Sequence, residues 1–504
     1  MLTKKKCERV FTLYKRYAMK AFLKRNYSKA LECMSYACRT ACYCNFKFSD
    51  IELEALVIQI SGLLIKRKTF TPQCGKFVFY DNFNLNDRVL ARQYINALLS
   101  MSSKLLVISS GDKDNISVYI NDILQQNSKI EFLFLNKQLP IVDKIMQISC
   151  RVASFAPEKA FIHTTPYDVV GATVWGAFTE VERYQINVTD QTFWLGINCM
   201  DYVIEYRNYG YNLSSKYRGI DYSRLLTLLY YPVTNDISFL GLPRGEESGM
   251  IRLLSGGDFY KILGDNNAFL NMIVGVLEND KNTLFYFAGS GQQWKLKRFI
   301  AKKHLENRWF LLGNRPDITA VVRHVDIYIG TYPIAGGLMT QIAASCQKPV
   351  IAYYPHYDSW NNLDELFCGD TGLPKMMFED IDEFNHAIHE LIRNPEKRVT
   401  DGKMLCRALQ TQSSFAADLK RIVETKENST AIPDISIDTN RFCELYLNAE
   451  NHYLHTFPAC LINSILAKRR PDLFMIAGIE FIIHYNKSKL YRKIEVKIAD
   501  VFRK

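Results

Sequence analysis

The sequence predicts an α/β protein made of two doubly wound domains in tandem, with helical additions at both ends. Three observations carry that prediction. Short apolar runs alternate with helix-periodic stretches from residue 76 onward, a turn-rich linker interrupts the alternation and it then restarts, and the runs of the second half end in glycine-bearing loops. Strands spaced by helices imply parallel sheets covered on both faces. The expected segments are a helical accessory domain at 1–75, α/β domains at 76–235 and 236–400, and a helical region with a basic tail at 401–504.

In the first segment Tyr14, Tyr17, Ala18, Phe22, Leu31, Met34 and Ala37 fall near helical spacing, and Asn45 to Asp50 form a break, which predicts two or three amphipathic helices. The stretch YSKALECMSYA looks like one helix-hairpin repeat unit without a second copy, and Pro72 to Gly75 marks the boundary. Strands are expected at 77–80, 105–109, 130–135, 160–163 and 184–188, then, beyond the linker 232–249, at 250–254, 283–288, 309–312, 326–329 and 350–354. Residues 376–425 and the chain beyond Pro433 read as helical. Two doubly wound domains in tandem place a cleft between them, and ligands of such sheets bind at the carboxyl ends of the strands.

Composition narrows the class. At 504 residues, 48% hydrophobic and 13% aromatic, the chain exceeds a single core and has ample material for two or three. The longest apolar stretches, 253–263 and 473–483, are broken by Asp258 and Lys261 or by Glu480, well short of the roughly 20 residues of a membrane span. With no long apolar core behind the charged start MLTKKKCERVF, a secretory signal is not expected, and the cytoplasm is the expected compartment. Thirteen scattered cysteines fit reduced core thiols; the cluster Cys33, Cys38, Cys42 and Cys44 follows a helix and lacks the paired ligand hairpins of zinc modules, so no metal is expected.

The net charge of +11 is terminal: residues 1–29 carry ten Lys or Arg against Glu8, and residues 466–504 carry ten against four acids. Cationic, aromatic-bearing helical ends suit an anionic membrane surface, with a solvated helix face as the plain alternative. No recognisable nucleic-acid module accompanies the charge, so nucleic acid is not an expected partner.

The chemistry concentrates in the second α/β domain. GTYPIAGGLMTQIAASCQKPVIAYY (330–354) reads as strand end, glycine loop, helix and strand. A glycine pair at a helix start lets N–H groups approach an anion where the helix dipole is positive, although many such pairs are only tight βα turns. Thr331 and Thr340 offer hydroxyls. Three further strand ends repeat the pattern: Gly256-Gly257 followed by Lys261, Gly289 and Gly291, then Gly313 and Arg315. Trp194 reads as core, and Glu246 and Glu247 as solvated linker residues.

This arrangement resembles the GT-B glycosyltransferases, which bind a nucleotide sugar between two Rossmann-like domains; the resemblance spans about 76–400 and is strongest over 250–354. It implies donor diphosphate contacts from Gly256, Gly257, Lys261, Gly336, Gly337, Thr340 and Arg315, and nucleoside contacts near Gly289, Gly313, Asp364 and Glu365. It implies a nucleotide sugar, a UDP-sugar first, as substrate rather than a cofactor, and a glycan or lipid-linked acceptor of a surface polysaccharide. Many retaining relatives of family 4 carry E-x7-E here, and Ile334 and Ile342 stand in those places, so stereochemistry stays open. No D-x-D pair stands out, so Lys261, with Arg315, and helix N-termini would stabilise the leaving diphosphate without a metal. On the acceptor side, His163 and Asp190 each follow an apolar strand and are candidates for the general base. A protein acceptor and a catalytically silent nucleotide-sugar scaffold are the alternatives; a dinucleotide oxidoreductase is disfavoured because no G-x-G-x-x-G leads to an acid about 20 residues on.

Overall fold

A computed structural model describes residues 3–65, 70–85, 90–110, 116–136, 138–291, 293–356, 358–369 and 372–453. The basic stretch 466–504 lies outside the described residues. By its internal contacts the chain forms two compact units: one runs to Tyr230 and takes in Gln412–Ile435, the other covers Tyr231–Thr411 and resumes at Ser436.

The first unit is built on a parallel sheet of β1 (Gln73–Asp81), β2 (Lys104–Ser109), β3 (Ile130–Phe134), β4 (Pro157–His163), β5 (Glu182–Asn187), β6 (Tyr202–Glu205) and β7 (Leu225–Thr227), in the order β3-β2-β1-β4-β5-β6-β7. The last five residues of β1 are all buried, as expected of a strand covered on both faces. Its register sets Phe79 beside Phe161 and Asp81 beside His163. The strand order reverses between β1 and β4. Residues 73–75 of the expected boundary belong to β1, because the strand extends four residues ahead of its apolar core to pair Gln73 with Pro157. β6 and β7 were not expected; runs of four and three residues carry too little pattern to separate from loop.

Three helices precede the sheet: α1 (Lys4–Leu23), α2 (Tyr27–Cys44) and α3 (Ile51–Leu64). Each starts at a side-chain cap, with Thr3 accepting from Lys6 N, Asn26 from Lys29 N and Asp50 from Leu53 N. The four cysteines of α2 are buried in its packed face. These helices belong to the first unit. Ser61 Oγ donates to the Thr173 carbonyl at 2.6 Å, and Glu54 accepts from Gly196 N and Asn198 N at 2.8 and 3.2 Å.

The second unit carries β8 (Ile251–Gly256), β9 (Thr283–Ala288), β10 (Trp309–Gly313), β11 (Ile327–Ile329), β12 (Val350–Tyr353) and β13 (Met377–Phe378), again parallel, in the order β10-β9-β8-β11-β12-β13. The four glycine-ended strands are therefore side by side. Here the order reverses between β8 and β11. The segment 401–453 is shared between units: helix Gln412–Thr425 sets Phe415 against Tyr94 of the first unit at 5.2 Å, whereas helix Thr439–Tyr453 packs Phe442 on Trp360 of the second at 4.9 Å.

Candidate functional site

In the second unit, the loops leaving β8 and β11 flank the point of strand reversal, where doubly wound sheets leave a crevice. Gly257 has φ +143, a conformation that favours glycine, and its N–H donates to the Ala288 carbonyl at 3.0 Å. A Cβ on Gly256 would meet Met339 Cε at 3.1 Å, and one on Gly336 would stand 3.5 Å from the Gly256 carbonyl, so the two glycine loops touch backbone to backbone. Gly336 is the N-cap of helix Gly337–Ser345 and supplies no side-chain cap. The N-cap itself thus leaves the first N–H groups of that helix uncapped, as an anion site requires. Lys261 Nζ donates to the Ala335 carbonyl at 3.4 Å, and Ile334 N donates to the Lys261 carbonyl at 3.4 Å, which ties the lysine to the loop before the glycine pair. Beneath the loops the Tyr328 and Thr340 hydroxyls are buried without a partner of normal hydrogen-bond geometry. Thr331 is different: its hydroxyl donates to the Ile334 carbonyl at 2.7 Å and shapes the turn.

The other glycines have separate roles. A Cβ on Gly289 would fall 1.8 Å from the Gly257 carbonyl, and one on Gly291 2.8 Å from Phe259, so this loop is bare because the β8 loop lies across it. Phe259 N to the Ser290 carbonyl, 2.9 Å, and Ser290 Oγ to Asp258 Oδ1, 2.6 Å, stitch the pair. Gly313 has φ +66 and nothing within 4 Å of its would-be Cβ. Arg315 does not join the diphosphate loops: its guanidinium grips both oxygens of buried Asp317 at 2.7 and 2.6 Å and the Gly241 carbonyl at 2.9 Å. With its charge neutralised by Asp317, it fastens the linker rather than facing a ligand. Asp364 is exposed and Glu365 half-buried on the turn 364–366 beyond β12, and the Leu366 carbonyl of that turn accepts from Gln341 Nε2 of helix Gly337–Ser345 at 2.8 Å.

In the first unit, His163 ends β4 and Asp81 ends β1, on either side of that sheet's reversal. His163 Nδ1 lies 2.7 Å from Asp81 Oδ1, both side chains are fully buried, and Asp81 Oδ2 accepts from Phe83 N and Leu85 N at 3.1 and 2.8 Å. The imidazole stacks on Phe79 and is tilted against Phe83, and its Nε2 has no partner. A carboxylate on Nδ1 holds the ring in the tautomer whose Nε2 accepts a proton.

Asp190 is arranged otherwise. Both its oxygens accept from Arg207, at 2.6 and 3.2 Å, in a buried network where Glu205 accepts from Asn187 at 2.8 and 3.0 Å and Arg218 donates to Ser214 Oγ at 2.7 Å. Asp190 is the counter-ion of Arg207, with each of its oxygens accepting from that guanidinium. Trp194 lies in the core with Ile197, Val203 and Leu225, and Glu246 and Glu247 are exposed.

Two residues, one in each unit, were missed in the sequence. Asp81 stands in a β-type run, FVFYD, where an acid after apolar residues looks like a strand end; only its pairing with His163 across 82 positions gives it a role. Asn361 is buried and clamps the loop ahead of the glycine pair, its Oδ1 accepting from Ala335 N at 2.8 Å and its Nδ2 donating to the Pro333 carbonyl at 3.0 Å. Nothing in WNNLDEL distinguishes it from Asn362.

No protein-family model and no curated protein sequence matches the chain. Among solved structures it is similar to Anabaena Alr3699/HepE in complex with UDP and glucose, at 13% identity over 69% of this chain and 99% of that one, with a TM-score of 0.51. The same protein in complex with UDP-glucose gives 14% identity, the same coverage and a TM-score of 0.51. Thermobaculum terrenum O-GlcNAc transferase is similar over 88% of this chain and 85% of that one at 11% identity, with a TM-score of 0.49. At such identities the likeness establishes the fold: two parallel, doubly wound sheets that resemble those of GT-B nucleotide-sugar glycosyltransferases.

Proposed function

We propose that the chain is a glycosyltransferase that moves a hexosyl group from a nucleoside diphosphate sugar, UDP-linked, onto a hydroxyl of a surface-glycan acceptor. The observation that carries this reading is the coincidence of chemistry with topology: in each sheet the ligand-competent residues sit at the two strand ends flanking the reversal of strand order. That Alr3699/HepE, of like fold, is bound to UDP and UDP-glucose supports the choice of donor.

In this reading Gly256, Gly257, Gly336, Gly337 and Thr340 surround the diphosphate, with Lys261 as its cation. His163 Nε2 takes the proton of the acceptor hydroxyl while its Nδ1–H is held by Asp81; the hydroxyl oxygen bonds to the anomeric carbon and the bond from that carbon to the diphosphate oxygen breaks. The departing negative charge is stabilised by Lys261 and the N-terminus of helix Gly337–Ser345. A single displacement of this kind inverts the anomeric centre, in keeping with Ile334 and Ile342 in place of an acidic pair. The test is calorimetry of the full chain with UDP, GDP and CMP. UDP binding that Lys261→Ala weakens about tenfold is expected; failure of all three to bind sinks the proposal.

The same reading places the chain at the inner face of the cell membrane. Along α1 and its C-cap, Lys5, Arg9, Arg16, Lys20 and Lys24 are exposed at helical spacing, and Leu23 is 72% exposed beside them. This stripe supports docking on anionic lipid. Co-sedimentation with phosphatidylglycerol vesicles but not with phosphatidylcholine vesicles is expected, and equal partitioning onto both ends the idea.

A further inference from the structure

The guanidinium of Arg39, on α2, is held between two tyrosine rings. Its central carbon lies 5.7 Å from the Tyr36 ring centroid and 4.5 Å from that of Tyr167. Both rings are fixed. Tyr36 stacks on Tyr14 of α1 at 5.3 Å, while Tyr167 is pinned to α2 by Ser35 Oγ, which donates to its carbonyl at 3.2 Å, and by Tyr43, whose hydroxyl lies 3.3 Å from its own. Three other arginines of this unit spend N–H groups on protein acceptors: Arg183 on Asp201, Arg207 on Asp190, Arg218 on carbonyls and Ser214. Arg39 does not. Its Nε is buried without a partner, and among the described residues no carboxylate pairs with the guanidinium. The neighbouring acid, Asp168, is occupied with Tyr80 at 2.8 Å and with Val170 N and Gly171 N, both at 3.1 Å.

A guanidinium oriented by two π faces keeps its hydrogen-bonding edge in a defined plane, and that planar fork matches the two oxygens of a phosphate or carboxylate. The location gives the ligand a context. Tyr167 lies on the loop leaving β4, four residues beyond His163, and Thr165 of the same loop donates to Asn82 Oδ1 at 2.6 Å, just past the end of β1. Arg39 is therefore at the carboxyl edge of the sheet that holds the Asp81–His163 pair.

We propose that Arg39, framed by Tyr36, Tyr43 and Tyr167, is an oxyanion-binding site that anchors a phosphate or carboxylate carried by the acceptor. The word acceptor rests on the function proposed above; the oxyanion site itself does not. The framing by helices α1 and α2 gives the helical layer a part in ligand binding.

The experiment titrates the full chain with phenyl phosphate and, separately, benzoate, in the presence of saturating UDP so that the glycine loops of the second unit do not contribute. Wild type, Arg39→Lys and Arg39→Ala are compared, with thermal melting to confirm that each is folded. Expected is binding of one or both probes, weakened about tenfold or more by Arg39→Ala and to an intermediate degree by Arg39→Lys, which keeps the charge and loses the planar fork. The stronger probe tells phosphate from carboxylate. No binding by the wild type, or equal binding by folded Arg39→Ala, overturns the site. UDP affinity is expected to be the same in all three; if UDP does not bind at all, the glycosyltransferase reading falls while the two probes still decide the oxyanion site.

Discussion

Asn361 holds Ala335 by its backbone N–H and Pro333 by its carbonyl, at 2.8 and 3.0 Å, so one buried amide sets the turn that delivers Gly336 and Gly337 to the start of their helix. Asn361→Ala leaves both backbone groups without those partners, at about 1–3 kcal/mol for each buried group that stays unsatisfied. The expected result is UDP affinity lowered about tenfold, read by calorimetry. Unchanged affinity in a folded variant means that the turn keeps its shape without the clamp.

The Asp81–His163 pair separates geometry from basicity. Asp81→Asn presents a neutral amide to Nδ1 and favours the wrong tautomer, while His163→Ala removes the base. Donor turnover is expected to fall about 10²–10⁴-fold in both, with UDP affinity unchanged. A turnover within a few-fold of wild type in His163→Ala excludes it as the base.

Arg315→Ala is expected to leave UDP affinity within about twofold, because the guanidinium is already committed to Asp317 and Gly241. The loss belongs to stability: Asp317 also accepts from Leu240 N at 2.9 Å, so limited proteolysis within 232–249 should accelerate. A tenfold loss of UDP affinity with an intact linker reverses this assignment.

Two glycines of similar appearance in the sequence should respond differently to alanine. At Gly289 the new methyl falls 1.8 Å from the Gly257 carbonyl, forcing the loops apart at about 1–3 kcal/mol or more. At Gly313 it meets open space, and only the φ of +66 opposes it, at about 1 kcal/mol. Thermal melts of the two variants give the comparison; equal losses mean that the β8 and β9 loops part without penalty.

Burial pushes Glu205 up to about 7, and Glu54 likewise to about 7. In the unfolded chain both titrate near the ordinary glutamate value, so the folded form binds protons more tightly. Their contribution to stability is therefore full below about pH 4.5 and is lost as pH rises through about 7. The melting temperature of the first unit is expected to fall between about pH 4.5 and about pH 7 and to level off above that, and Glu205→Gln should flatten that fall; a slope unaffected by the substitution shows that Glu205 is ionised throughout.

The architecture was legible in the sequence because a strand covered on both faces is a continuous apolar run, and every expected run of that kind, such as FYFA in β9, is a strand. Strand order was not legible, since it depends on which ends meet in space, and order is what pairs Asp81 with His163 and Gly256 with Gly336. Charge was legible as a residue type and its pairing was not: Arg315 and Asp190 follow strands like site residues, and the structure gives each a counter-ion of opposite sign, at Asp317 and Arg207. Buried polar partners far apart in the chain leave no local signal.

Glu54 reaches from α3 to the N–H groups of Gly196 and Asn198, and Ser61 of the same helix reaches the Thr173 carbonyl. The helical layer is therefore not a detachable module. A shortened chain starting at residue 70 would leave those donors unmet and uncover the apolar side of helix Val169–Trp175, so it should accumulate as insoluble protein rather than as a trimmed, folded chain. Helices and sheet are expected to melt in one cooperative transition, and an intermediate that loses the helices alone should never be populated.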